Sequence, residues 1–223
     1  TASCISHGVA RIDGRTCKYQ RETFRCIVAD IIFKDFTSRK TRKVIFMGTW
    51  NSRGLRGSTL EEFLNRTNEK YLEQGLALIQ KIPTPITPVK IDKEHRHITL
   101  AYFDQRSTVD YIGAVQGIPV CFDAKECHTD TFPLQNLHEH QVEFMKEFEK
   151  QDGIAFLIIY YNARNELYYM PFKEIDMFWN RAKEGGRKSV RYEELNPNYF
   201  MTLKNGCMVP YLDALQIDLE NRD

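Results

Sequence analysis

The sequence predicts an α/β fold, a central sheet flanked by helices with a protruding β-arm. Three observations carry this. Ile154 to Tyr161 is a near-continuous apolar run of strand length, as expected for a central strand covered on both faces. Segments of helical period stand on either side of segments of β character, at Leu60–Tyr71, Leu134–Phe148 and Ile175–Ala182. Finally, Pro83, Pro85 and Pro88 stiffen one segment into an extended rod ahead of a candidate hairpin.

In chain order, Asn51 to Gly57 is a glycine-rich cationic entry. Ser58 and Glu61 have the spacing of a capping box, and Leu60, Phe63, Leu64, Thr67 and Tyr71 then recur at helical spacing up to Gly75. Leu76 to Lys81 reads as a short strand. Residues 81–107 read as the arm, with strands at Val89–Ile91 and His97–Phe103 around a polar turn. The arm carries Lys81, Lys90, Lys93, Arg96 and Arg106, with acids interspersed, and a merely solvated edge hairpin is the plainer reading.

Thr108 to Ala114 and Gly117 to Lys125 read as two strands turning near Gln116-Gly117. Alternation along the second puts Val120, Phe122 and Ala124 on one face and Cys121, Asp123 and Lys125 on the other. A helix is expected from Phe132-Pro133 to Asp152-Gly153, and Gln141 is a polar residue on its apolar stripe. Leu167–Pro171 reads as a partner strand, Lys173–Lys183 as an amphipathic helix and Arg187–Arg191 as a basic loop. The tail has short apolar segments, Tyr199–Leu203 and Val209–Leu212, and an acidic end.

Residues 1–50 differ from the rest. They hold Cys4, Cys17, Cys26 and the basic patch Arg39–Lys43, with little regular period. Met47 is the first methionine and stands just ahead of the patterned region, so it is the expected natural start, with the residues before it a poorly ordered or non-native extension. A basic arm touching DNA backbone is the alternative. A zinc site from His7 and these cysteines lacks a C-x-x-C pair. The main domain is expected over 51–215.

The net charge of +1 announces no polyanion partner, so a nucleic-acid surface would need local charge segregation. No apolar run reaches the roughly 18 residues that span a bilayer. Irregular cysteine spacing fits a reducing cytoplasm, which is the expected location, with no membrane partner.

The chemistry centres on Asp110 and Asp123, with Lys125 sharing a face with Asp123. Two carboxylates and one or two neutral oxygens suffice for Mg²⁺, which acidifies water and neutralises phosphate oxygens. Thr108 and Gln141 are candidates for those oxygens, and Lys125 for stabilising the transition state. Taken singly, each is more simply a solvated or satisfied polar residue, and D-x-K alone is a weak pattern. Their joint placement, on paired strands followed by a helix, carries the reading.

At this point the residues resemble a family. Asp110 followed by Asp123-Ala-Lys125 resembles the acid and (D/E)-x-K motif of restriction-endonuclease-like nucleases. More specifically, the chain is similar to RecU-type Holliday junction resolvases. The stretches that carry this are RGSTLEEFLNRTN from Arg56, KIPTP from Lys81, AYFDQRSTVDYIG from Ala101, FDAKE from Phe122, FPLQNLHEHQ from Phe132, QDGIAF from Gln151 and FWNRAKEGGRKSVR from Phe178. The likeness covers about residues 51–200. It implies a restriction-endonuclease-like mixed central sheet flanked by helices, with a protruding β-stalk. It implies Mg²⁺, with Mn²⁺ as a substitute, held by Thr108, Asp110, Asp123 and Gln141, and Lys125 as transition-state stabiliser. It implies a homodimer that nicks opposed strands of a four-way junction, a stalk that enters the junction, and engagement of the RecA recombinase. Contacts to DNA backbone are expected from Arg53, Arg56, Lys81, Lys90, Arg96, Arg187 and Lys188. The family generally has glutamate where Asp123 stands, and threonine where Val109 stands. Alternative readings are a catalytically weak junction-binding protein that regulates RecA, and a nuclease acting on another DNA structure.

Overall fold

The computed structural model describes residues 59–95, 97–103, 108–202 and 207–222. Residues 1–58 lie outside that set, and with them the Ser58 capping residue, Arg53, Arg56 and the whole N-terminal segment.

The architecture is mixed α/β. A six-stranded sheet runs in the order β1-β4-β5-β7-β8-β10. Its strands are β1 (Ala77–Lys81), β4 (Tyr111–Val115), β5 (Ile118–Cys127), β7 (Ile154–Tyr161), β8 (Glu166–Pro171) and β10 (Phe200–Met201). Only β5 and β7 pair in parallel, and the other neighbours are antiparallel. A parallel pair needs a crossover connection. Here the connection holds helix α2 (Glu139–Lys150). All eight residues of β7 are buried, as its uninterrupted apolar run predicts.

Among the described residues four α-helices flank the sheet: α1 (Thr59–Glu73), α2, α3 (Phe172–Lys183) and α4 (Tyr211–Glu220). On one face an aromatic row crosses four strands. Tyr111, Phe122, Phe156 and Tyr169 stack in sequence with centroids 4.7, 4.7 and 4.5 Å apart. Tyr211 of α4 caps the row at 5.3 Å from Phe122, and Tyr71 of α1 meets Tyr211 edge-on at 5.2 Å. Their polar atoms are satisfied. Tyr211 donates to Asn68 at 2.6 Å and Tyr169 to Asp218 at 2.9 Å. The other face receives α2 and α3, where Gln141 reaches Asp123 and Tyr168 donates to Glu174 at 2.7 Å.

Several expected boundaries move. Thr108 and Val109 precede β4 rather than lying in it, so strand alternation does not by itself orient Thr108. Phe132 and Pro133 belong to β6 (Thr131–Pro133), and Leu134–Asn136 forms one 3₁₀ turn. The helix therefore starts at Glu139, and Leu134 and Leu137 are core residues of its approach. Three of the five residues of the expected basic loop are strand: β9 (Ser189–Arg191) pairs with β6. The largest departure is α4, where short apolar segments and an acidic tail were expected. Asp218 and Arg222 explain why a charged segment docks. Arg222 binds Asp218 at 2.9 Å and Glu149 of α2 at 2.6 Å, so the charges face partners rather than solvent.

Between β1 and β4, strands β2 (Ile86–Asp92) and β3 (His97–Phe103) form a two-stranded sheet of their own, with no buried residue. Pro88 lies inside β2, beside a register shift, the kind of position at which strands tolerate a proline. Asp92 closes the tip by accepting from the backbone N–H of Glu94 (2.9 Å) and His95 (3.1 Å).

Candidate active site

The site is made by one hairpin. Gln116 and Gly117 have φ of 49° and 87°, the two left-handed residues of a tight two-residue turn, and they fix the register of β4 on β5. That ladder ends at Tyr111 opposite Phe122. Continuing it by one residue sets Asp110 opposite Asp123, on the sheet face away from the aromatic row.

Asp110 is half-buried and its Oδ2 accepts from the Ala124 N–H at 3.1 Å. Asp123 is completely buried. Its Oδ1 accepts from Gln141 Nε2 at 3.2 Å. The Lys125 ammonium forms an ion pair with its Oδ2, which has no partner of hydrogen-bond geometry. Burial, reinforced by the neighbouring Asp110 side chain, pushes the Asp123 carboxyl up to about 7, and Lys125 opposes that rise. Like charges directly opposite on paired strands are unfavourable, which adds to the upward shift of Asp123.

Gln141 reaches the site from the first turn of α2. Its Oε1 accepts from the His138 N–H at 3.1 Å, which closes the helix start. The amide therefore turns its nitrogen to Asp123 and its oxygen to the helix cap. Thr108 is half-buried, ahead of β4.

The donor set fits a divalent cation. Two carboxylates face each other, one buried oxygen lacks a hydrogen bond, and neutral oxygens of Gln141 and Thr108 lie on adjoining segments. Among the described residues no three His, Cys, Asp or Glu side chains gather as a metal cage. A cation here would depend on those neutral oxygens, as Mg²⁺ with retained waters does.

A cleft of about 280 Å³ opens beside Asp110 and Lys125, walled also by Glu61, Lys81, Glu126 and His128. The family model for recombination protein U matches residues 55–217. The chain belongs to the RecU family. A Holliday junction resolvase RecU from Bacillus pumilus (strain SAFR-032) is 44% identical over 166 residues, 72% of this chain and 80% of that protein. One from Pediococcus pentosaceus (strain ATCC 25745 / CCUG 21536 / LMG 10740 / 183-1w) is 42% identical over 175 residues, 75% and 86% of the two chains. The RecU match spans all the residues that meet at the hairpin.

Against this RecU framework the expected DNA contacts divide. Lys90, Arg187 and Lys188 are exposed, Lys90 on the two-stranded sheet and the others between α3 and β9. Lys81 lines the cleft but is paired with Glu61. Arg53, Arg56 and Arg96 lie outside the described residues. Sequence reasoning took Glu61 only as a capping residue and passed over Glu126 and His128. Glu126 accepts from the Leu60 N–H at 3.4 Å and from Asn162 at 3.3 Å, which ties α1 to the end of β5. The available signal was Glu126 itself, an acid directly beside Lys125 at the end of a strand.

Proposed function

We propose that this chain is a Mg²⁺-dependent, structure-selective endonuclease that resolves Holliday junctions by paired symmetric nicks. The observation that carries the reading is Asp110 opposite Asp123, with Lys125 against Asp123, in a chain of the RecU family. Thr108, Asp110, Asp123 and Gln141 would hold the ion, with Mn²⁺ as a substitute. The chemistry that a divalent cation supplies in such a site is an acidified water and neutralised phosphate oxygens.

The protein's own groups do the rest. Asp110 is fixed by the Ala124 N–H and presents its other oxygen to the site. Asp123 is held by Gln141 and Lys125. Lys125, about a fifth exposed, lies between Asp123 and the cleft, where its charge can stabilise a pentavalent phosphate. For Gln141 to offer oxygen, its amide must turn and release the His138 N–H. Lys81, Lys90, Arg187 and Lys188 would follow the phosphate backbone, together with Arg53, Arg56 and Arg96.

The same reading takes the fold as restriction-endonuclease-like over 51–215, with residues 81–107 as a stalk that enters the junction. It takes the working unit as a homodimer acting in the cytoplasm, and RecA as a further partner. A two-fold symmetric substrate cut at two related positions calls for two related sites. Among the described residues no helix is long and apolar enough to cross a membrane.

The test is incubation with labelled four-way junction, duplex and single strand, with and without Mg²⁺. Paired nicks confined to the junction and dependent on Mg²⁺ are expected. Asp110→Ala should abolish nicking and leave junction binding intact. Persistent nicking by that variant would overturn the site assignment. One observation favours a second reading, a junction-binding protein with weak catalysis: the completely buried, proton-holding Asp123 in place of a longer acid. Binding without cleavage in both metals would select it.

A further inference from the structure

The ion pair between Glu61 and Lys81 sits in the cleft that contains Asp110 and Lys125. Glu61 stands in the first turn of α1 and Lys81 ends β1. The residue after Lys81, Ile82, donates its N–H to the Asp110 carbonyl at 2.8 Å, so the chain carrying Lys81 is tied to the chain carrying the acid. The side chains of Lys81 and Glu61 are 42% and 44% exposed. A pair this open is weak and screened by salt, so an incoming anion can exchange with its carboxylate. Lysine suits such an exchange, because its ammonium is a point charge on a flexible stem.

We infer that Glu61 is an internal competitor for Lys81, its carboxylate holding the ammonium that a DNA phosphate takes when a strand enters the cleft. This rests on the nuclease reading proposed above and adds to it a residue that sets how tightly DNA is held. The electrostatic surroundings support it. Glu61 and Asp110 are both acids on the wall of this one cleft. Glu126 adds a third acid to the same wall. Once a phosphate has taken Lys81, Glu61 is left among acids and beside the phosphate. Every strand that enters therefore bears the cost of separating the pair. Glu61 can be changed without disturbing the helix for a steric reason: glutamine has the same shape and nearly the same helix propensity.

A double-mutant cycle tests this. Binding of a four-way junction is measured in EDTA, where nothing is cut, for the wild type, Glu61→Gln, Lys81→Ala and the double variant. Glu61→Gln is expected to tighten binding by about twofold to fivefold, the range of exposed ion pairs. Lys81→Ala is expected to weaken it, and Glu61→Gln to have little further effect in that background. Equal tightening with and without Lys81 would overturn the inference, as would weaker binding by Glu61→Gln. Loss of Mg²⁺-dependent cleavage by Glu61→Gln with unchanged binding in EDTA would also overturn it, and would place Glu61 in the metal site. Junction cleavage by the wild type in the same series separates the two claims: cleavage with an additive cycle removes only this inference, and no junction binding removes the nuclease reading with it.

Discussion

Burying Asp123 opposite Asp110 makes this carboxyl keep its proton far above the range of a free aspartate. Its pKa is higher in the folded chain than in the unfolded one. Between the two values the folded state binds a proton that the unfolded state has lost, so stability falls as pH rises through that window. The window runs from the ordinary aspartate range to about 7. In EDTA the unfolding free energy from urea titration should therefore decline across it, by on the order of a few kcal/mol at most. Asp123→Asn should flatten the decline, and an unchanged slope would show that the proton sits elsewhere. The divalent cation proposed to bind here would compete with the same proton, so its affinity should rise with pH through 7. The placement of Asp123 and Lys125 on one face was legible from alternation alone. The direction of the Gln141 amide was not, because it is decided by the His138 N–H, a backbone donor at a helix start that no residue pattern displays.

At the scale of elements, β7 was readable because eight apolar residues in a row leave no other reading for a short segment. Helix α4 was not. Its apolar residues, Tyr211, Leu212, Ala214, Leu215 and Leu219, follow directly on Val209-Pro210 and are broken by Asp213, Gln216 and Asp218. Asp218 looks like part of an acidic tail until Tyr169 and Arg222 are seen to bind it. Arg222 also holds Glu149, which accepts from the Ala155 N–H at 2.7 Å at the start of β7. The central strand, α2 and α4 are thus joined through one guanidinium. Removing one partner of such a network leaves uncompensated buried charge, at about 3–5 kcal/mol. Arg222→Ala should lower the denaturation midpoint accordingly, and Arg222→Lys should recover only part, since one ammonium cannot reproduce the forked contacts. A loss below about 1 kcal/mol would show that the network does not secure the helix.

For the whole molecule, the exposed two-stranded sheet is the feature that a lone chain does not explain. Val89, Ile91, Leu100, Tyr102 and Phe103 are each at least half exposed. Two strands alone are marginally stable in water, and an apolar surface of this kind marks a contact site. The prolines and the strand alternation predict a stalk over 81–107, but neither states what such a hairpin meets. The homodimer proposed above, bound to a junction, would provide surfaces of both kinds, protein and unstacked nucleic acid. Sedimentation should give a species of twice the 26.2 kDa chain mass, independent of DNA. A monomer at micromolar concentration would remove the basis for two symmetric cuts, although a single nick could remain.

The Gln116-Gly117 turn has a consequence for how this hairpin can change. It works as a ruler. Twelve residues separate Asp110 from Asp123, and the tight turn converts that count into face-to-face placement. One residue added at the tip would slide one strand past the other and send the second acid into the aromatic layer. Length here is as strictly determined as chemistry, at a turn whose residues are not themselves the acids it positions.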